Sequence, residues 1–347
     1  MSAPAPATPA VAPPPMDLPS VVRLAELADY VVPLILRAVA DLGVADLLVA
    51  GPRPAAELAG ELGVHAGTLL RALRALASKG VFTEVSPGVF GLTALAAPLR
   101  ADHPLSLREA YPLLPSDLRA WAMLGHTLRT GEPGFDAAHG EDYWTYLAGH
   151  PEESVRVDGW MRSVNRLHLR TVLPGHDWSR LSTVVDLGGG NGAFLAGLLR
   201  RYPGLRGHLV DLPHVVAGAP AVLAEAGVAG RCEITAGNIF DPVPAGADGY
   251  VLKTVLPGFG DADVVRILTR VRAAMRPDSE LLLLEAVLPP GDAPDVAKLF
   301  DVHTLVLSGG AHRDPAATGA LLARAGLRLD RVTPTPTLTV LRAVPAT

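Results

Sequence analysis

The pattern of apolar positions divides the chain into a helical first half and a second half in which strands alternate with helices. From Ser20, apolar residues recur at three- and four-residue spacing as far as Leu42, and Gly43 follows. This pattern predicts one helix that ends at the glycine. The apolar positions extend almost all round the helix, which predicts burial on two sides, once by its own chain and once by a partner.

The next region has the pattern of a winged helix. Two helical stretches, near Ala55–Ala59 and Thr68–Leu76, precede two short strands that meet at Ser86 and Pro87. In a repressor the second helix would read DNA. The basic residues at the reading face are few: Arg71, Arg74 and Lys79. Because the whole chain has a formal net charge of -5, the pattern favours a dimerisation module over a DNA-binding one.

Aromatic residues concentrate in a helical segment between about residues 105 and 180. Seven of the chain's aromatic residues lie between positions 111 and 160 of this segment: Tyr111, Trp121, Phe135, Tyr143, Trp144, Tyr146 and Trp160. Core packing explains some of them. A pocket for a flat apolar ligand explains the cluster as a whole.

From Leu181 the rhythm changes to strand, helix, strand. The predicted strands are Thr183–Leu187, His208–Leu212, Cys232–Thr235, Tyr250–Lys253, Leu281–Glu285, Leu329–Thr333 and Leu338–Val344. Near-continuous apolar strands that alternate with helices predict an α/β fold with a doubly wound parallel sheet. The last two strands, with nothing helical between them, predict a hairpin that adds an antiparallel strand.

A glycine-rich loop, Asp186 to Gly192, follows the first of these strands. Ligands bind at this place in doubly wound sheets, and glycines let the backbone approach them closely. Asp211 ends the second strand, where a carboxylate can accept hydrogen bonds from both hydroxyls of a ribose. Taken alone, Gly188 and Gly190 also fit a dinucleotide-binding fingerprint.

Three features favour S-adenosylmethionine (SAM) over a dinucleotide. Asp186 stands two residues before the first glycine of the loop, where it can meet an ammonium group. The sheet follows a helical domain, and the turn at Gly237–Phe240 can cover an adenine ring. The predicted cofactor-binding residues are Asp186, Gly188, Gly190, Asp211, Leu212, Asn238, Ile239 and Lys253.

At these residues the chain resembles the dimeric O-methyltransferases of the caffeate and hydroxyindole type. Their actinobacterial relatives, such as carminomycin 4-O-methyltransferase and aclacinomycin 10-hydroxylase, act on aromatic polyketides. The resemblance extends over roughly residues 20 to 345, with matching stretches at 102–104, 143–148, 184–192, 210–213, 241–244, 264–268, 308–313 and 321–327. It implies a class I methyltransferase sheet, which is Rossmann-like, and an N-terminal α-helical winged-helix dimerisation domain. It also implies a swapped dimer and a phenolic substrate between the domains.

We therefore expect four segments along the chain. Residues 1–19, rich in proline and alanine, are expected to be disordered. The dimerisation domain is expected over 20–104, a helical segment that covers the substrate over 105–180, and the SAM-binding domain over 181–347.

The chain departs from the family where the resemblance implies a catalytic base. The family usually has a histidine after the fourth strand, and here that position is Pro257, which cannot take a proton. Glu285 matches the carboxylate that steadies this histidine in the family. Asn238 stands where the family has an aspartate that faces the adenine, and Thr304 where it usually has a methionine.

Several functions remain open on these residues. The first is methyl transfer by proximity to an already acidic acceptor, as the carminomycin enzyme, which similarly lacks the histidine, suggests. A second is methyl transfer with another base, the candidates being His303, His312 and His168. A third is a hydroxylation, decarboxylation or pericyclic rearrangement that keeps SAM for its charge. Two non-catalytic functions also remain open: a catalytically inactive protein that stabilises another enzyme by dimerising with it, and a ligand-responsive regulator.

The substrate is expected to be flat and largely apolar. The predicted pocket residues are Trp121, Tyr143, Trp144, Trp160, Met161, Asn165, His168, Phe259, His303 and Thr304. The single cysteine, Cys232, excludes an internal disulfide, and the histidines lack metal-ligand spacing. We expect no metal, no nucleic acid and no membrane partner, and a cytoplasmic location.

Overall fold

The first helical region differs from the prediction. The computed structural model describes residues 17–346, so most of the expected disordered tail lies outside the described residues. The single helix predicted over 20–42 is wrong, because the chain forms α1 (Leu18–Leu27) and α2 (Val31–Leu42). The Asp29 carboxylate accepts a hydrogen bond from the Val31 N–H at 2.9 Å and starts the second helix. Pro33 has no N–H with which to continue the first helix through this point.

The winged-helix region follows as predicted. Its elements are α3 (Val44–Leu47), β1 (Arg53–Pro54), α4 (Ala55–Leu62), α5 (Ala66–Ala77), β2 (Phe82–Ser86) and β3 (Val89–Leu92). Two of the few basic residues are already paired, since Arg74 forms an ion pair with Glu84 at 3.0 Å and Lys79 approaches Glu26 at 3.4 Å. These pairs reduce the positive charge that this face presents to solvent.

Five helices connect the winged helix to the sheet. They are α6 (Pro115–Ala122), α7 (Leu124–Thr130), α8 (Gly134–His139), α9 (Tyr143–Gly149) and α10 (Pro151–Thr171). A separate small core holds most of them together, with Phe135 and Tyr143 buried at its centre. Val306 and Leu307, from a helix much later in the chain, belong to the same core. This packing ties the middle of the chain to its C-terminal part.

The C-terminal part forms a seven-stranded sheet with helices between the strands. Its elements are β4 (Thr183–Leu187), α11 (Ala193–Arg201), β5 (Arg206–Asp211), α12 (Pro213–Val216), α13 (Ala219–Glu225), β6 (Cys232–Ala236), β7 (Gly249–Lys253), α14 (Asp261–Ala274), β8 (Glu280–Glu285), α15 (Val296–Ser308), α16 (Pro315–Arg324), β9 (Leu327–Pro334) and β10 (Thr339–Pro345). The strand order is β6-β5-β4-β7-β8-β10-β9. Both apolar clusters that cover the sheet draw on its strands.

The predicted sheet is confirmed in its topology as well as its strands. The five strands from β6 to β8 are parallel, and β10 runs antiparallel to both β8 and β9. The terminal hairpin thus inserts its second strand beside β8. Within residues 17–346, no helix is long and apolar enough to cross a membrane.

Candidate active site

Four neighbouring strands of the sheet end at the same edge, and each brings a polar residue there. In the order β5, β4, β7 and β8, these strands end at or next to Asp211, Asp186, Lys253 and Glu285. Because parallel strands share their carboxyl edge, four sequence-distant charged residues meet in one row. The sequence predicted three of them as cofactor ligands and the fourth as a neighbour of the catalytic base.

The glycine-rich loop after β4 needs glycine for both conformation and space. Gly188, Gly190 and Gly192 have φ of 67°, 66° and 78°, in the left-handed region that other residues rarely adopt. A Cβ on Gly188 would lie 2.7 Å from Val255, and one on Gly189 would lie 2.6 Å from the Asp186 carboxylate. The loop is therefore pressed tightly against the ends of β4 and β7.

Asp211 holds this loop to the neighbouring strand. Its Oδ2 accepts a hydrogen bond from the Gly190 N–H at 2.8 Å, and its Oδ1 accepts one from the Leu212 N–H at 2.7 Å. Each carboxylate oxygen has a second lone pair. The side chain is thus positioned by the backbone and can still accept from a ligand's hydroxyls.

Asp186 is the most unusual group at this edge. Its side chain is buried, with 1% of the residue exposed, and neither carboxylate oxygen has a hydrogen-bond partner among the described residues. Burial raises the pKa of this carboxyl to about 7, against the opposing effect of Lys253. A buried carboxylate without partners is costly, so the site suits a ligand that brings its own cation. The ammonium group of SAM fits this requirement.

Lys253 supplies a positive charge between the two buried carboxyls. Burial lowers the pKa of its ammonium to about 8, while Asp186 and Glu285 oppose that shift. Its Nζ lies 5.9 Å from the centroid of the Phe194 ring. Within residues 17–346, no group of three or more acidic, histidine or cysteine side chains is arranged to hold a metal ion.

The turn predicted to cover an adenine ring is built by side chain-to-backbone bonds. The Asn238 Oδ1 accepts from the Phe240 N–H at 3.0 Å, and the Asn238 N–H donates to Asp241 at 2.8 Å. Ile239 packs against the core of the sheet. Phe240 meets the Phe259 ring edge-on, with centroids 5.7 Å apart. Phe259 therefore lies beside this turn.

The segment in which the family has its histidine base forms a fixed turn in this chain. Pro257 is buried in the 3-10 turn Leu256–Gly258. The Glu285 Oε1 accepts from the N–H groups of Val255 and Leu256, each at 3.3 Å. Thr254, at the start of this segment, has a φ of 54°, which is strained for a β-branched residue. Glu285 thus positions the turn, and its second oxygen has no partner among the described residues.

Arg313 holds the same turn from the other side and was missed by the sequence reasoning. Its guanidinium donates to the carbonyl oxygens of Leu256 at 3.3 Å and Phe259 at 2.9 Å. It also forms an ion pair with Asp261 at 2.7 Å. The matching stretch at 308–313 contained this arginine, but nothing in the sequence indicated which carbonyls it would meet.

A group of stacked rings lies beside this edge and brings together residues from three helices. His303 of α15 stacks on Trp121 of α6, with centroids 5.9 Å apart, and meets the Trp160 edge of α10 at 6.3 Å. Phe300 stacks on Trp160 at 6.5 Å. Three of the predicted substrate residues are therefore in one cluster.

The long helix α10 presents unpaired polar atoms. Trp160 Nε1, Asn165 Oδ1 and His168 Nδ1 are buried and have no hydrogen-bond partner in the described part of the chain. Asn165 and His168, three residues apart, are neighbours on one face of the helix. Burial lowers the pKa of His168, and the charge of Lys253, at the end of β7, adds to this shift, so His168 lies on the side of α10 nearer the cofactor edge of the sheet. Met161 is partly buried on the same helix.

Tyr143, Trp144 and Thr304 are also predicted substrate residues that lie outside the ring cluster. Tyr143 is buried in the small helical core, where its ring meets Phe135 edge-on at 5.1 Å. Trp144 is 49% exposed and contacts Tyr143. Thr304 Oγ1 lies 3.4 Å from the His312 Nε2. The helical spacing could not tell which aromatic residues face the small core.

The three histidines considered as replacement bases are poorly suited to that role. Burial lowers the pKa of His303 to about 4 and of His168 to about 3. Neither can hold a proton taken from a phenol, whose pKa is about 10. His312 is already engaged, since its Nδ1 pairs with the Ala286 carbonyl at 3.0 Å and its backbone N–H with Asp301 at 2.7 Å.

Comparison with known proteins decides the family. The O-methyltransferase domain model matches residues 121–328, and the O-methyltransferase dimerisation domain model matches residues 25–102. The chain belongs to the SAM-dependent O-methyltransferases. This O-methyltransferase uses SAM, and its N-terminal region is the family's dimerisation domain.

Three relatives indicate the range of this family. The O-methyltransferase is 40% identical to a phenazine O-methyltransferase of Lysobacter antibioticus, over 94% of this chain and 96% of the relative. It is 32% identical to the aclacinomycin 10-hydroxylase of Streptomyces purpurascens, over 91% of this chain and 86% of the relative. The structure of an O-methyltransferase from neocarzinostatin biosynthesis, in complex with SAM and 2-hydroxy-5-methyl naphthoic acid, superposes with a TM-score of 0.80. That structure is 34% identical and covers 93% of this chain and 98% of its own.

Proposed function

We propose that this O-methyltransferase transfers the methyl group of SAM to an oxygen of a flat, aromatic secondary metabolite. The proposal rests on the buried, unpaired Asp186 carboxylate, which suits the ammonium group of SAM, and on the stacked rings around His303 of α15. Helix α15 packs against the turn that follows β7, at the same edge of the sheet. SAM supplies an electrophilic methyl group when it is bound. The rings supply a flat, apolar surface on which an aromatic acceptor can lie.

The proposed cofactor residues divide into three tasks. Asp186 meets the ammonium group, while Gly188 and Gly190 let the backbone approach. Asp211 accepts from the ribose hydroxyls and Leu212 follows it at the end of β5. The remaining proposed residues border the base and the cofactor's charged end: Asn238, Ile239 and Lys253.

We further propose that no side chain of this chain acts as a strong base. Pro257 has no proton-accepting group, and burial makes His303 and His168 weak bases. The acceptor must then be ionised before transfer or lose its proton to water. Correct alignment of two reactants can lower a barrier by about 7–11 kcal/mol, so the base is dispensable for an acidic acceptor.

A second function is favoured by one observation. The similarity to a 10-hydroxylase of the same family, together with Pro257, supports a reaction in which SAM is bound but not consumed. In that case the same ring cluster holds the substrate.

One assay separates the two functions. The purified dimer is incubated with methyl-labelled SAM and a panel of hydroxyphenazines, hydroxynaphthoates and anthracycline phenols, and products are analysed by mass spectrometry. Methyl transfer predicts a product heavier by one labelled methyl group and an equal amount of S-adenosylhomocysteine. Conversion of a substrate while SAM is recovered unchanged would instead establish the second function.

We also propose the arrangement of the whole enzyme. Its dimerisation domain extends over about 20–104, its substrate-covering helices over 105–180 and its SAM-binding domain over 181–347. We propose a cytoplasmic location, because the cofactor is an intracellular metabolite and the single cysteine suits a reducing compartment.

A further inference from the structure

Arg37 is a positive charge that faces the ring cluster from the dimerisation domain. It is the only basic residue in the apolar sequence of α2 and is partly buried there. Its guanidinium lies 5.9 Å from the centroid of the Tyr111 ring. Asp41, one turn further along α2, pairs with Arg156 of α10, which lies one turn before Trp160. This contact brings Arg37 to the ring cluster, and the lowered pKa of His303 agrees, since it is caused first by burial and then by the charge of Arg37.

No side chain of the described residues neutralises Arg37. Hydrogen bonds and ion pairs are formed by most arginines near it, such as Arg108 with Asp46 at 2.6 Å, but Arg37 forms neither among residues 17–346. Asp117 is near enough for Arg37 to affect its pKa, yet its Oδ1 is buried and has no partner. Arg37 therefore does not bind this carboxylate.

A partly buried guanidinium without a partner is unfavourable in an apolar helix. Arginine binds carboxylates and related anions through two parallel hydrogen bonds, and it also stacks on aromatic planes. Trp160 Nε1, a buried N–H donor without a partner, belongs to the ring cluster that Arg37 faces. Both groups are hydrogen-bond donors, and neither has an acceptor in the described chain.

We propose that Arg37 and Trp160 form an anion-binding subsite, and that the acceptor is an aromatic acid. This inference rests on the proposed function and narrows its substrate class to rings that carry a carboxylate or an equally acidic group. The anion pairs with Arg37 while the ring lies against Trp121, Trp160 and His303. An electron-withdrawing acid group on the ring also makes a neighbouring hydroxyl easier to ionise, which suits a site without a protein base.

The test compares acids with their methyl esters, which share a ring but not a charge. Binding of 2-hydroxy-5-methyl naphthoic acid, phenazine-1-carboxylic acid and anthraquinone-2-carboxylic acid, and of their methyl esters, is measured by calorimetry with S-adenosylhomocysteine present. At least one acid is expected to bind about tenfold more tightly than its ester. Arg37→Gln is expected to weaken that acid about tenfold and leave the ester within about twofold. The affinity of Arg37→Lys for the acid should lie between those of the parent and of Arg37→Gln, since lysine keeps the charge but not the paired donors.

Control measurements separate this inference from the proposed function and from folding. Arg71→Gln removes an exposed arginine of α5 and should leave both affinities unchanged. S-adenosylhomocysteine binding by Arg37→Gln, measured alone, reports whether the site is intact. Acids that bind no better than esters, or that do not bind at all, overturn the subsite even if the enzyme methylates neutral phenols. An equal loss for acid and ester assigns Arg37 a structural role and also overturns it. Failure to bind S-adenosylhomocysteine contradicts the proposed function instead.

Discussion

The Asp186 carboxyl makes cofactor affinity depend on pH at the scale of one residue. Its pKa of about 7 leaves it only partly ionised near neutral pH before a ligand arrives. An ammonium group binds the ionised form, so affinity for S-adenosylhomocysteine should rise about tenfold between pH 6 and pH 8. Asp186→Asn should bind S-adenosylhomocysteine weakly, with almost the same affinity at pH 6 and pH 8. Calorimetry at the two pH values checks this.

The control for this prediction is an aspartate far from the cofactor edge. Asp263→Asn removes a partly exposed carboxylate that pairs with Arg266 at 2.6 Å, and it should retain the pH dependence. If Asp186→Asn keeps the full pH dependence of the parent, another group titrates and Asp186 does not meet the ammonium.

Glu285 gives a second residue-scale prediction, which concerns stability. Burial raises the pKa of this carboxyl from 4.5 to about 8, so the folded state favours its protonated form. The stability that this preference contributes is complete below pH 4.5 and is lost as pH rises through 8. Glu285→Gln keeps an oxygen for the Val255 and Leu256 N–H groups but cannot ionise. Its Tm should match the parent at pH 5 and exceed it by about 4 °C at pH 9.

Thermal unfolding followed by circular dichroism measures this difference without cofactor. Glu225→Gln, an exposed substitution at the end of α13, should have the same Tm as the parent at both pH values. A stabilisation by Glu285→Gln that is equal at pH 5 and pH 9 would mean that ionisation of Glu285 is not its cause.

At the scale of elements, the turn after β7 depends on a clamp from both sides. Arg313 meets two of its carbonyl oxygens and the carboxylate of Asp261, and only 11% of its side chain is exposed. Lysine keeps the charge but cannot reach several acceptors at once, so Arg313→Lys should lower the free energy of unfolding by about 2 kcal/mol. Denaturant unfolding measures the loss. Arg328→Lys, whose exposed partner is Asp330, should change it by less than about 0.5 kcal/mol.

The elements also show what the sequence could and could not predict. All seven strands of the main sheet were predicted within two residues. The buried parallel strands are nearly continuous apolar runs, which is why their pattern is clear in the sequence. The row Asp211, Asp186, Lys253 and Glu285 follows from strand order. The break between α1 and α2 was missed because apolar periodicity continues across it, and only Asp29 and Pro33 indicate it.

The partners of side chains could not be predicted from the same pattern. Tyr143 is buried in the small core and Trp121 packs against it, yet only Trp121 also stacks on His303. Arg37 was overlooked, although a single basic residue in an apolar helix was a visible signal. The partners of these side chains depend on how helices from three parts of the chain pack together. The apolar periodicity within one helix gives no information about that packing.

At the scale of the whole molecule, the apolar side of α1 has no packing partner within the described part of the chain. None of its residues is buried, and Leu18, Leu24 and Leu27 are each more than half exposed. Single exposed leucines are common on protein surfaces, but a helix exposed on its apolar side is not. It adjoins the region that matches the dimerisation domain, residues 25–102. A partner subunit that covers α1 gives this helix its missing core.

Leu24→Glu should therefore separate the dimer. Leu24 is 68% exposed in the single chain, and the substitution would place a charge where the partner subunit is expected to bury this side chain. Sedimentation velocity should show a monomer at concentrations at which the parent is a dimer, with unchanged helical circular dichroism from the remaining core. Leu128→Glu makes the same change at a leucine that is 77% exposed on α7, and it should remain a dimer. A Leu24→Glu protein that sediments as a dimer would show that α1 lies outside the interface, and another surface would then have to join the subunits.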